Sequence, residues 1–188
     1  MTAARRLVLA PGELDLLARL LGLELPPGFA VRDGTGDRAR LAALGALVDG
    51  RVHASVAAGL EAACAPRLAV LVEAAVPDVA VTAALGVRGD VGGALVRTGP
   101  DAVEASLWPA VALRAELARL VPPAGEHGSL RATVVAPPDV VGQALWSARD
   151  GAWLALQPGG ATTAVGATDL GPALAPLVGA ALVGAALA

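Results

Sequence analysis

The sequence predicts an α+β protein with a central antiparallel sheet flanked by helices. Three observations carry that reading. Apolar stripes at helical spacing fill the first third of the chain, alternating β-branched runs follow Pro66, and a shorter set of strand-like runs reappears after residue 124. At 188 residues the chain is long enough for one domain with a sizeable core, expected to span 1–188 as an N-terminal half (1–123) and a shorter C-terminal half (124–188).

The first helix begins where Pro11 suits an opening turn and Glu13 and Asp15 favour the positive helix start. Leu14, Leu17, Ala18 and Leu21 make its apolar stripe, and Gly22 ends it. Leu25-Pro26-Pro27-Gly28 breaks the chain, Phe29-Ala30-Val31 reads as extended, and Asp33 to Asp37 as a polar turn. A second helix is expected with Leu41, Leu44, Leu47 and Val48 on its face and Asp49-Gly50 closing it. A third runs from Val52 through Val56 and Leu60 to Cys64.

Leu68 to Val72 and Val79 to Val87 read as strands divided by the turn Val76-Pro77-Asp78. Ala94 to Arg97 and Val103 to Leu107 complete a four-stranded antiparallel meander. Pro109 opens a helix with Leu113, Leu117, Leu120 and Val121 inside and Arg114, Glu116 and Arg119 towards solvent, stopped by Pro122-Pro123.

Gly125 to His127 is a polar joint. Beyond it Leu130 to Val135 reads as a strand, Asp139 to Gln143 as a short helical turn, and Leu145 to Ala148 with Trp153 to Leu156 as a hairpin about Arg149-Asp150-Gly151. Thr162 to Val165 is a further strand before a terminal helix. Arg97-Thr98-Gly99 with Val103 to Leu107 and Pro109 echoes Arg149-Asp150-Gly151 with Trp153 to Leu156 and Pro158, as two related halves would; two ordinary hairpins would give the same pattern.

Composition excludes several functions. All 14 basic residues are arginines scattered among 17 acids, for a net charge of -3, which leaves no clustered positive charge for phosphates. Aromatics are only 2%, too few for stacking on single strands. One cysteine excludes an internal disulfide or a cysteine-based zinc site and suits a reducing compartment, so the protein is expected to be cytoplasmic. Leu7 to Ala10 is too short for an export signal. Leu170 to Ala188 is uncharged and as long as a membrane span. It contains only seven Leu or Val, two prolines and three glycines, and its stripe Leu170, Leu174, Leu177, Val178 and Leu182 fits a helix docked on a core.

No constellation for catalysis, metal or cofactor stands out. His53 falls at a helix start and His127 in the joint, neither with a nucleophile nearby in sequence, and Cys64 lies on an apolar stripe. Asp78, Asp90, Asp101, Asp139, Asp150 and Asp169 each coincide with a turn or cap. Gly89-Asp90-Val91-Gly92-Gly93 links strand to strand, unlike a phosphate loop, and reads as a hairpin loop whose charged start, Arg88, Gly89 and Asp90, is the candidate partner-binding site. The alternative is a small hydrolase using His127 or Cys64 in a cleft between the halves.

Several phrases resemble a family. The opening Gly12-Glu13-Leu14-Asp15-Leu16-Leu17, Leu25-Pro26-Pro27, Leu47 to Val52, Arg97-Thr98-Gly99, Trp108-Pro109 and Glu116 to Pro122 are similar to the EspG-type chaperones of actinobacterial ESX (type VII) secretion systems, over residues up to about 123. The resemblance implies a central antiparallel sheet built from two pseudo-symmetric halves. It also implies a cytosolic chaperone, without cofactor or catalysis, that binds the helical tip of PE-PPE-like heterodimers. The second half is compressed relative to that pattern, and no residue-level binding motif carries over.

Overall fold

A computed structural model describes residues 5–30, 35–97, 99–156 and 162–165. The expected terminal helix, Val31 and the first two residues of the expected polar turn, Asp33 and Gly34, lie outside the described residues. Nine strands form one antiparallel sheet in the order β1-β7-β6-β5-β4-β8-β9-β10-β11. They are β1 (Arg5–Leu9), β4 (Leu68–Val76), β5 (Val79–Arg88), β6 (Val91–Arg97), β7 (Val103–Pro109), β8 (His127–Ala136), β9 (Asp139–Arg149), β10 (Ala152–Leu156) and β11 (Thr162–Val165). A separate two-stranded ribbon joins β2 (Leu47–Val48) to β3 (Arg51–Val52).

The helices are α1 (Pro11–Leu21), α2 (Arg38–Ala43), α3 (Ala54–Cys64) and α4 (Leu113–Leu120), the last preceded by a 3-10 turn at Ala110–Ala112. Each start has a local cause. The Glu13 carboxylate accepts the Ala10 N–H at 2.7 Å, and the Asp37 carboxylate accepts from the Ala39 and Arg40 N–H groups. His53 Nδ1 accepts the Ser55 N–H at the start of α3. Gly22, at φ +67°, closes α1 through hydrogen bonds to the carbonyls of Ala18 and Arg19.

The sheet has two pseudo-symmetric halves related about the β4–β8 pair, so that β5, β6 and β7 on one side answer to β9, β10 and β11 on the other. Register makes the correspondence residue by residue. The turn between Val76 and Val79 matches that between Ala136 and Asp139. A bulge opposite the Val134/Val135 step then inserts one residue in β9, after which the pairs Leu85–Ala94 and Ala84–Leu95 match Trp146–Ala155 and Leu145–Leu156. The internal echo is therefore real but lies one hairpin away from where the sequence places it: Arg88-Gly89-Asp90, not Arg97-Thr98-Gly99, is the counterpart of Arg149-Asp150-Gly151.

Period-two alternation divides the strand residues between two faces. On one face Val70, Val72, Ala83, Leu85, Ala94, Val96, Trp108, Leu130, Ala132, Val134, Trp146, Ala148 and Trp153 form a core continuous across both halves, capped by Leu117, Leu120 and Val121 from α4 and its C-terminal end. On the other face Ala84, Leu95 and Ala105 pack beneath α1, α2 and α3 with Leu9, Leu14, Leu17, Phe29, Leu41, Val56 and Leu60.

Three glycines let α3 lie against the backbone of β5 and β6. A Cβ at Gly86 would overlap the Ala62 carbonyl, one at Gly93 the Gly59 carbonyl, and one at Gly59 would crowd Leu107. Gly92, on the opposite face, leaves room for the Trp108 ring. The glycines read as a loop are thus strand residues, and only Gly89-Asp90 forms the turn.

Other expectations change. Leu7 to Leu9 is part of β1, paired with β7 at the sheet edge. Leu47 and Val48 do not extend α2. Asp49 and Gly50, at φ 50° and 75°, instead supply the left-handed pair of a hairpin turn. Asp139 to Gln143 is the start of β9 rather than a helical turn. Glu116 is buried, not solvent-facing, and belongs to a four-membered network with Arg6, Glu104 and Arg119 that ties α4 to β1 and β7.

Replacing Gly93 by valine should cost about 3 kcal/mol or more, because backbone rather than a movable side chain blocks the new atoms. Gly99→Val, where a Cβ meets nothing within 4 Å, should fall within about 0.5 kcal/mol of the parent. Urea unfolding of both variants measures the difference.

Candidate functional site

Among the described residues, the face that α3 covers on the first half carries no helix on the second. Helix α3 packs on β5, β6 and β7, and no described helix packs on the same face of β8, β9 and β10. One register row crosses the open region through Thr82, Glu73, Arg131, Leu145 and Leu156. These five residues, with Ser129, line a groove of about 440 Å³. Leu145 is 44% and Leu156 48% exposed, whereas their counterparts Ala84 and Leu95 are 2% and 0% exposed beneath the helices.

The groove has a polar and an apolar end. Arg131 donates to Glu73 through Nε at 2.8 Å and also through Nη2, so both charges are matched within the wall. Beside them the Gln143 amide donates to the Thr133 hydroxyl at 3.1 Å. The two leucines form the other end. The leucines thus offer apolar surface beside polar groups that satisfy one another.

The backing is stiff. Trp146 and Trp153, on the same strands but facing the other way, are buried, and the Trp153 indole donates to the Pro122 carbonyl at 3.0 Å. The β9–β10 turn, with Asp150 and Gly151 both at positive φ, is held by its N–H groups to the carbonyls of Glu126 and Gly125.

The residues singled out in the sequence are not brought together. Arg88, Gly89 and Asp90 are exposed at the β5–β6 turn, and the Asp90 carbonyl accepts the Ala110 N–H at 2.8 Å, which fastens the turn to the chain leading into α4. That turn sits at the opposite end of the strands from the groove rows. His127 is exposed at the first residue of β8. His53 is occupied in the cap of α3, with Ser55 Oγ at 2.9 Å and Arg5 Nη1 at 3.3 Å from its Nδ1. Burial pushes the Cys64 thiol from 9.0 up to about 11, the reverse of what a nucleophile needs. Among the described residues no cluster of His, Cys, Asp and Glu could hold a metal ion, and no helix is long and apolar enough to cross a membrane; Leu170 to Ala188 lies outside them.

Sequence reasoning assigned Leu145 and Leu156 to a hairpin but not to a site. The available signal was the substitution of leucine for alanine at position 145 relative to its repeat counterpart, Ala84, which becomes visible only once the halves are aligned correctly.

The architecture defines a class: an antiparallel sheet of two related halves, flanked by helices. Among solved structures it is similar to that of the Mycobacterium tuberculosis type VII secretion system chaperone EspG5 in complex with the PE25-PPE41 dimer, with a TM-score of 0.68 and 14% sequence identity over 93% of this chain and 96% of that chain. At that identity the likeness is one of fold. No protein-family model matches the chain, and no curated protein matches it in sequence.

The Cys64 environment has a pH signature. The unfolded thiol ionises near 9.0 while the folded thiol stays protonated to about 11, so the unfolded form gains as pH rises through that window and stability falls. Iodoacetamide should therefore label the native protein slowly at pH 8 to about 9 and rapidly once urea exposes the thiol, as followed by mass spectrometry.

Proposed function

We propose that the protein is a cytoplasmic chaperone or adaptor of an ESX (type VII) secretion system, folded as one unit whose halves meet near residues 123 and 124, which binds a helical substrate pair of the PE-PPE type. The observation that carries this reading is the exposed pair Leu145 and Leu156, apolar surface at positions whose first-half equivalents, Ala84 and Leu95, lie beneath helices. The fold shared with a chaperone solved in complex with a PE-PPE dimer supports the choice of partner. The exposed turn Arg88, Gly89 and Asp90 is proposed as a secondary contact, tethered through Asp90 and charged on both sides of the glycine. The Cys64 and His127 environments favour no hydrolytic alternative.

Co-expression of the tagged chain with PE-PPE-like pairs, followed by affinity purification, tests the proposal. The pair should be retained at equal stoichiometry, and a folded chain that retains none of the pairs overturns it. The double variant Leu145→Glu, Leu156→Glu should weaken retention about tenfold or more, as the loss of central apolar anchors does. Arg88→Ala with Asp90→Ala should change it by less than about threefold, as expected of rim contacts.

A further inference from the structure

We infer that residues 170–178 are the second copy of α4 and dock on the Trp146 side of the sheet, the face that α4 itself covers in the first half. Two separate measures of the internal symmetry, strand register and leucine spacing, agree on this placement.

Register supplies the first. Leu95 and Leu156 are equivalent, and each pairs with one residue on the next strand, Ala105 on β7 and Thr162 on β11. Ala105 and Thr162 lie 57 positions apart in the chain, as do Trp108 and Val165, where β11 ends. Leucine spacing supplies the second. The inner face of α4 is Leu113, Leu117, Leu120 and Val121, and 57 positions on stand Leu170, Leu174, Leu177 and Val178, the same residue type at every place. The cap agrees. Ala112 is the N-cap of α4, and its counterpart is Asp169, whose carboxylate can accept the free N–H groups of a first helical turn. Pro172 then falls within that first turn, where a missing N–H costs nothing.

The same symmetry selects the face. Leu85 and Trp146 are equivalent by register, and both belong to the core beneath α4, so the relation exchanges halves without exchanging faces. α4 packs on β5. Its counterpart therefore packs on β9 and β10, above Ala144, Trp146 and Ala155. Ala144 and Ala155 are only half-buried, which leaves apolar surface for leucines to cover, and leucines above alanines pack as large meets small. Attachment differs in kind from that of α4. Glu116 and Arg119 tie α4 to Arg6 and Glu104, whereas their counterparts are Ala173 and Pro176, so the contact is apolar throughout. Pro176 also removes a helical N–H and bends the last turn away from the course α4 takes. A segment held on this face leaves Leu145 and Leu156, on the other, to a partner; that consequence alone rests on the proposed function.

The test uses the full chain with carbon-13 methyl labels. Nuclear Overhauser contacts from the Leu174 and Leu177 methyls should fall on Ala144, Trp146 and Ala155. Contacts to Leu145, Leu154 or Leu156 would put the segment on the opposite face and overturn the inference. So would random-coil shifts throughout 170–178, or contacts seen only between differently labelled copies. A disulfide trap in a Cys64→Ala background gives a second reading. Ala144→Cys with Leu177→Cys should cross-link about tenfold faster than Leu145→Cys with Leu177→Cys, because neighbours in a strand point to opposite faces. Equal or reversed rates overturn the inference. The two proposals fail separately. Docking as expected with no PE-PPE-like pair retained removes the proposed function alone, and retention of a pair while 170–178 lies against Leu145 removes this inference alone.

Discussion

The approach of α3 to the backbone of β5 and β6 is the constraint on which the first half depends. Because Gly86 and Gly93 have no Cβ, the carbonyls of Ala62 and Gly59 lie directly over the strands. That depth lets Val56 and Leu60 share one core with Leu95 and Ala105, and lets α1 and α2 close over the same layer with Leu14, Leu17 and Leu41. Arg5 then reaches from β1 to the Gly45 carbonyl at 2.8 Å and to Ser55 Oγ at 3.0 Å, joining the edge strand, the end of α2 and the start of α3. A helix standing higher on the sheet would break each of these contacts, so the identity of two strand residues sets the position of everything above them.

Elements whose causes are local were legible in the sequence. The first helix is bounded by Pro11 and Gly22, and the meander by a turn at Pro77-Asp78 and alternating valines, so both follow from neighbours a few residues away. What escaped depends on distant partners. β1 is only Arg5 to Leu9, and its pairing partner is β7, starting at Val103; nothing within five residues distinguishes such a strand from an apolar tail. Asp49-Gly50 ends a helix or turns a hairpin with equal ease, and the ribbon Leu47 to Val52 shows which geometry prevails here. The start of β9 holds Gly142 and a bulge, features that weaken a strand signal while the neighbouring strand β8 enforces it.

The exposed leucines of the second half are illegible in the sequence for a different reason. Alternation tells which residues share a side of a strand, not whether that side is covered. Leu95 and Leu156 occupy equivalent places in two matched hairpins, and only the presence of α3 over one of them makes the first core and the second surface. The candidate turn at Arg88 drew attention because glycine and charge are visible locally. The leucines did not, because an apolar residue in a strand looks like core until the tertiary structure shows otherwise.

The asymmetry between faces also explains how an exposed apolar strip can coexist with a well-defined fold. The opposite face is a single core running through both halves, from Trp108 to Trp153, and α4 is fixed against it by Glu116 with Arg6 and Arg119 and, just past its C-terminal end, by the Pro122 carbonyl that accepts from Trp153. β9 and β10 are thus anchored by Trp146, Ala148 and Trp153 whatever happens above Leu145 and Leu156. In the proposed role such a platform would need no ordering of its own when a partner docks. Because the anchors lie on the opposite face, the residues at 145, 154 and 156 are open to change in size and polarity while the strands that carry them stay in register.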